Sequence, residues 1–197
     1  PQNASIPFDK RRSGFVMAEG AGVLVLEEYE HAIKRGATIL GEIVGYATTT
    51  DAFHMTAPDE EAEGITHCIH LALQDANIDA KQLGYINAHG TSTPLNDRLE
   101  TLGFKKALKE HAYRININST KSMMGHALGA AGAIESIVCV KTLQTGTIAP
   151  TIHLQETDPD CDLNYTVGTA VQKELEFAMN INTGFGGQNA AIIFKKV

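Results

Sequence analysis

Two histidine-bearing motifs hold the residues best suited to chemistry: Asn87-Ala88-His89-Gly90-Thr91-Ser92-Thr93-Pro94 and Ser119-Thr120-Lys121-Ser122-Met123-Met124-Gly125-His126. Each sets an imidazole in a turn rich in Gly, Ser and Thr, where a ring N–H can face a ligand instead of a core. Two such donors could share one substrate oxygen and stabilise the charge that builds on it during reaction. A neutral imidazole does this through one nitrogen while a local partner holds the other. The chain offers the pair no obvious nucleophile. Cys68 and Cys139 fall in helical apolar patterns, as core thiols do, and Cys161 stands among Asp158, Asp160 and Asp162, whose charges raise a thiol pKa.

The neighbours of the two histidines leave more than one role open. Thr91 and Thr93 alternate, so in an extended segment their hydroxyls point the same way; they either bind amides of an elongated ligand or cap the following turn. Lys121 precedes His126 closely enough to set local charge, or is a surface lysine. Glu135 falls inside an Ala/Gly-rich helical stretch, where a buried carboxylate needs a partner, and Lys121 is the candidate. Gly184-Phe185-Gly186-Gly187 places a phenylalanine on a permissive backbone, as a mobile gate or as a tight hairpin. His54, His89 and His126 match no metal-ligand spacing, and no metal site is expected.

Positioning these residues requires alternating elements. Val23–Leu26 reads as a buried strand and Glu27 to Arg35 as a helix closed by Gly36. Ile39–Tyr46 reads as a strand running into the loop Thr48–Pro58, followed by an amphipathic helix from about Asp59 to Ala76. Tyr85–Ala88 and Ile115–Asn118 are short strands that deliver the two motifs. Asn96 or Asp97 is the candidate N-cap of a helix reaching Lys109. Ala127–Leu143, rich in small residues, predicts a central buried helix approached closely by another backbone. Strands near Phe177–Asn182 and Ala190–Lys195 flank the glycine-rich turn. This order predicts an α/β fold with a mixed sheet, and Gly36 to Leu40 is the expected unit boundary.

Composition is that of an ordinary globule: 197 residues, 43% hydrophobic and 20% charged. A net charge of -7 argues against a nucleic-acid partner, which wants a basic face, and no apolar run has the length of a membrane span. Three cysteines without C-x-x-C spacing read as reduced thiols of a cytoplasmic protein. The chain opens at Pro1 without Met, which reads as an excised or processed piece.

Asn87–Pro94, the run from Ser119 through Gly125-His126-Ala127-Leu128-Gly129-Ala130-Ala131-Gly132-Ala133-Ile134-Glu135, and Gly184-Phe185-Gly186-Gly187-Gln188-Asn189 together resemble the β-ketoacyl-[acyl-carrier-protein] synthases, of the fatty-acid type. Pro7-Phe8-Asp9-Lys10 and Glu19-Gly20-Ala21-Gly22 fit as well, so the resemblance spans essentially the whole chain. It implies the thiolase-like fold, with residues 1–37 as the tail of an N-terminal half and 38–197 as the C-terminal half. It implies decarboxylative condensation of an acyl thioester with malonyl-acyl carrier protein in fatty-acid elongation. His89 and His126 then bind the malonyl thioester carbonyl, and Lys121 and Glu135 organise the site electrostatically. Thr56, Thr91 and Thr93 line the phosphopantetheine channel, and Phe185 is the gating phenylalanine whose N–H joins the oxyanion hole.

The resemblance also implies partners: acyl carrier protein, the N-terminal half of the same enzyme, and a second copy in a homodimer. No cofactor is expected beyond the carrier's phosphopantetheine. Two departures stand out. The family's nucleophilic cysteine belongs to the N-terminal half and precedes Pro1, and Thr183 replaces a bulkier apolar residue common in the gate loop. Two other classes remain: a non-catalytic half-domain that binds carrier protein or a partner subunit, and a different thioester enzyme acting on coenzyme A substrates.

Overall fold

The structure, a computed structural model, describes residues 4–197; Pro1, the expected start of the first unit, lies outside them. In chain order the main elements are α1 (Tyr29–Lys34), β1 (Glu42–Thr50), α2 (Glu63–Asp75), β2 (Leu83–Asn87), α3 (Pro94–Leu108), β3 (Asn116–Asn118) and α4 (Lys121–Met124). They continue with α5 (Ala131–Thr145), β4 (Thr147–Ile148), β5 (Val171–Gln172), β6 (Phe177–Gly184) and β7 (Gln188–Lys195). Five strands form one sheet in the order β1-β7-β6-β2-β3, and β4 pairs with β5 apart from it. The sheet is mixed: β2 runs parallel to β3 and β6, while β7 runs antiparallel to β1 and β6.

Strand alternation divides the core between the two faces of the sheet. Phe177, Met179 and Ile181 of β6, with Ala191 and Ile193 of β7, pack toward α2 and α3 among Ile65, Ile69, Leu73 and Phe104. Ala178 and Phe194 point the other way, joining Tyr85 with Cys139 and Leu143 of α5. Helices therefore cover both faces, as the α/β reading requires. All three cysteines are buried and free.

The expected first strand does not form. Val23–Leu26 belongs to no ladder, and Val23, Val25 and Leu26 are 83%, 87% and 71% exposed. Apolar composition favours a strand, but a strand exists only where a neighbour satisfies its backbone, and among the described residues none does. This segment instead lies along α5 through its glycines: a Cβ on Gly22 would come within 3.0 Å of the Ala133 backbone. The close backbone approach expected of the small-residue helix is thus present. That helix is buried on one face only, through Glu135, Ser136, Cys139, Thr142 and Leu143, rather than all round.

Other boundaries shift for local reasons. β1 continues to Thr50 because Thr48, Thr49 and Thr50 pair with Ala190, Asn189 and Gln188. α2 starts at Glu63, after the Asp59 carboxylate has accepted from the Glu61 and Glu63 N–H groups. α3 begins at Pro94, a residue suited to the first helical position, so Thr93 is its N-cap and neither Asn96 nor Asp97 caps it. The Asp97 carboxylate accepts instead from the Phe8 N–H at 2.8 Å.

Gly90 fixes the bend after β2. Its φ is +39°, and a Cβ there would meet Ser119 Cβ at 2.5 Å. Gly90→Ala is expected to destabilise the protein by about 1–3 kcal/mol, read as a lowered urea midpoint at unchanged slope. A midpoint equal to that of the parent protein would remove Gly90 as a constraint on the histidine turn.

Candidate active site

β2 and β3 lie side by side, and both histidine motifs leave the same end of the sheet. Ala88 N–H donates to the Asn118 carbonyl at 2.8 Å, and Ser119 Oγ donates to the Gly90 carbonyl at 2.7 Å, so the turns after the two strands are tied together. His126 is anchored through its backbone: its N–H donates to Val16 O at 2.7 Å, and its carbonyl accepts from Ala18 N–H at 3.0 Å. Gly125 makes this approach possible, with φ +74° and only 2.9 Å between a notional Cβ and Val16 O.

The outcome is two imidazoles 5.3 Å apart between ring centroids and nearly perpendicular, at 86°. Both open on one cleft of about 750 Å³. His89 is 7% exposed and His126 half-buried. The Leu128 N–H donates to His126 Nδ1 at 3.2 Å, so the neutral ring carries its proton on Nε2 as a free donor. His89 Nδ1 lies 2.9 Å from Asn182 Oδ1 and 3.5 Å from Lys121 Nζ.

Lys121 and Glu135, each 1% exposed, form an ion pair through Nζ and Oε1. Their elements bring them together: α4 follows the β3 turn, and the buried face of α5 points back beneath it. The lysine's charge also acts on the rings. Burial first, and Lys121 second, hold His89 well below the usual imidazole range and push His126 down to about 4. Both are neutral at pH 7. Burial raises Glu135 against the pull of Lys121.

The depressed His126 pKa links stability to pH. Below the ordinary value of 6.5 the unfolded chain takes up a proton that the folded ring refuses until about pH 4, so stability falls as pH drops across that window. His126→Asn is expected to flatten this part of the stability–pH curve; an unchanged curve by urea titration from pH 7 to 4 would contradict the assignment.

The remaining expected site residues occupy the same cleft in different ways. Thr91 and Thr93 line it, but Ser92 at φ +70° interrupts the extended run, and the two hydroxyls meet each other at 3.0 Å. Thr56 lines its exposed rim, on a loop whose Thr56 and Ala57 N–H groups donate to His54 Nδ1. Phe185, 76% exposed, projects from the turn between β6 and β7 over the cleft, and that turn is held by Gly186 N–H on Met55 O at 2.7 Å. Thr183 Oγ1 donates to Asn96 Oδ1 at 2.9 Å.

Three participants escaped the sequence reading. Glu100, 2% exposed, accepts the His89 and Gly90 N–H groups at 2.6 and 2.8 Å and so fixes the histidine turn; burial pushes its pKa up to about 8. Asn180 and Asn182, on the face of β6 toward α5, link His89 to Glu135. Among the described residues no thiol reaches the two imidazoles. Cys68 and Cys161 are raised by burial to about 11 and 12, and Cys139 is raised further. Nor does any group of three or more His, Cys, Asp or Glu among them form a metal site, and no helix is long and apolar enough to cross a membrane.

Comparison with known proteins connects this geometry to a lineage. Residues 40–155 match the family described as beta-ketoacyl synthase, C-terminal domain, and residues 1–32 match the N-terminal domain of the same family. The 3-oxoacyl-[acyl-carrier-protein] synthase 2 of Synechocystis is 50% identical over 196 residues, 100% of this chain and 47% of that protein. Its Coxiella burnetii counterpart is 48% identical over 197 residues, 100% of this chain and 48% of that protein. The chain therefore spans about half the length of the curated relatives it matches.

Among solved structures, a type II polyketide ketosynthase in complex with its acyl-carrier protein superposes with a TM-score of 0.97 at 44% identity, covering 100% of this chain and 48% of that one. A beta-ketoacyl synthase from Burkholderia phymatum gives a TM-score of 0.92 at 44% identity, covering 97% and 46%. The mixed sheet covered on both faces is thus the thiolase-like α/β fold of ketosynthases, in its C-terminal portion. With a family match across more than half its length, the chain belongs to the β-ketoacyl synthase family.

Proposed function

We propose that this chain supplies the two-histidine side of a condensing site that joins an acyl thioester to malonyl-acyl carrier protein during fatty-acid elongation. One observation carries the proposal: the neutral rings of His89 and His126 meet 5.3 Å apart in a cleft edged by Thr91, Thr93 and Phe185. An acyl group first passes to a cysteine carried by the rest of the enzyme. The malonyl thioester then enters past Thr56, Thr91 and Thr93, with its carbonyl oxygen at the imidazoles. Cleavage of the carbon–carboxylate bond releases carbon dioxide and leaves its electron pair delocalised onto that oxygen, where the His126 Nε2–H stabilises it. The enolate carbon attacks the acyl thioester, the cysteine thiolate departs, and the chain is longer by two carbons.

The ketosynthase captured with its carrier protein supports a carrier-protein partner for this chain. The exposed Val23, Val25 and Leu26 supply an apolar surface for the rest of the enzyme to cover, consistent with residues 1–37 being the tail of an N-terminal half. A homodimeric, cytoplasmic parent enzyme belongs to the same reading. The purified 197-residue chain is expected to form no ketoacyl product from acyl and malonyl carrier protein, because it lacks a reactive thiol at the site. Mass-spectrometric detection of the elongated product with this chain alone would refute the division of labour.

A further inference from the structure

We infer that Thr183 and Asn96 form a side-chain latch that fixes the base of the Phe185 turn against α3, with Thr183 the positioning residue. The latch serves the reading of Phe185 as the gate of the cleft, on which its role in the reaction rests. Thr183 Oγ1 donates to Asn96 Oδ1 at 2.9 Å. The Asn96 amide admits one orientation, because its Nδ2 faces carboxylate oxygens: Asp97 Oδ1 at 3.1 Å and Glu100 Oε2 at 3.5 Å. Asn96 thus presents its oxygen to the gate loop, and the Thr183 hydroxyl is the donor. The side chain expected to cap α3, a position that Thr93 takes, finds its use here. One turn further along α3, Glu100 holds the His89 and Gly90 N–H groups, so the latch sets gate and histidine turn on one support.

Little else ties the turn to α3. Among the described residues, Thr183 to Gly187 make no other hydrogen bond to that helix. Their other anchors outside the hairpin are backbone bonds to the rim loop: Gly186 N–H donates to Met55 O at 2.7 Å, and Gly187 O accepts from Asp51 N–H at 2.9 Å. Packing adds little. A Cβ on Gly186 would meet nothing within 4 Å, one on Gly184 would meet only Gln188, and Phe185 itself stands exposed. Thr183 also borders a small pocket lined in part by Pro58, Ala62, Ile65 and Leu99. A bulkier apolar side chain at this position would hold the turn by filling such a pocket. Threonine holds it by one directed bond, which is either made or broken.

The test is amide hydrogen exchange, read by mass spectrometry, in the full-length enzyme carrying this chain. The reporter is the Gly186 amide, which exchanges when the turn leaves Met55 O. Thr183→Val keeps the side-chain shape and deletes the donor. Exchange at Gly186 is expected to rise about 2–10-fold, the loosening that the net worth of one hydrogen bond allows, while the amides of β2 keep the parent rate. Asn96→Ala breaks the same bond from the helix side, should the first variant not fold, and is expected to give the same rise. The double variant should add nothing to either single one, and Thr183→Ser should keep the parent rate. Unchanged exchange in both single variants, or rises that add in the double one, overturn the latch; so does a rise shared equally by β2, which marks general loosening. Acyl transfer from acyl-carrier protein, timed in the same variants, is expected to quicken with the turn. Faster Gly186 exchange with unchanged acyl transfer would support the latch while removing Phe185 as the gate.

Discussion

Replacing His126 by alanine is expected to slow decarboxylation of a malonyl thioester by the full-length enzyme by about 10²–10³, the usual loss when one preorganised donor to a developing oxyanion is removed. The Leu128 N–H holds Nδ1, so the neutral ring has its proton where the substrate oxygen is proposed to lie, and forming that bond needs no rearrangement at the moment of reaction. The loss should fall on kcat more than on KM, since the bond strengthens as charge develops. In the proposed reaction, transfer of the acyl group to a cysteine of the rest of the enzyme precedes this step, and that transfer should survive. The turn itself should survive too, because His126 is anchored by its N–H on Val16 O and its carbonyl on Ala18 N–H, both independent of the side chain. Labelled acyl-carrier protein separates the half-reactions: acylation near the parent rate with decarboxylation reduced is the expected result. Equal loss in both would mean that the substitution had damaged the site generally.

How far the site was legible follows from where its information is stored. His89 follows the short strand β2 and His126 follows α4, the single turn of helix after β3; the apolar strands and Gly-containing turns that carry them are local patterns, so the sequence located them. Burial of Lys121 was not local: the same residue reads as a surface lysine until α5 brings Glu135 beneath it. The pairing was nevertheless foreseeable, because a carboxylate in a small-residue helix has to meet a cation. Asn182 left a fainter trace. In Phe177-Ala178-Met179-Asn180-Ile181-Asn182 the odd positions are apolar and two successive even ones are amides, so period-2 alternation places a polar pair on one sheet face. Such a pair, beside an α5 that contributes Glu135 and Ser136, marks a hydrogen-bond network and not a strand edge. Glu100 gave no comparable sign, since α3 starts at Pro94 and its polar residues Asp97, Glu100 and Thr101 turn inward. The Val23–Leu26 misreading has the opposite cause: its composition was right for a strand, and only the partner was lacking.

The Lys121–Glu135 pair carries the largest expected effect on stability. Both side chains are within 2% of complete burial, and their charges are balanced only by each other and by the hydrogen bonds around them. Glu135→Leu leaves the Lys121 ammonium in the interior with no carboxylate to pair with among the described residues, and Asn182 Nδ2 loses one of two acceptors. Breaking such a pair costs about 3–5 kcal/mol. Removing both charges in Lys121→Met with Glu135→Leu leaves no stranded ion, so most of that loss should be recovered, because a packed apolar pair of similar volume is often neutral against a buried ion pair. The double variant therefore separates fold from function. Its urea midpoint should approach that of the parent enzyme, while His89 and His126, freed of the positive neighbour, should titrate at higher pH. Urea melts of the single and double variants, with imidazole titrations of the double one, measure both. A single variant losing less than about 1 kcal/mol would show that water or a backbone shift already compensates Lys121, and the pair would then set the charge of the site without holding the fold together.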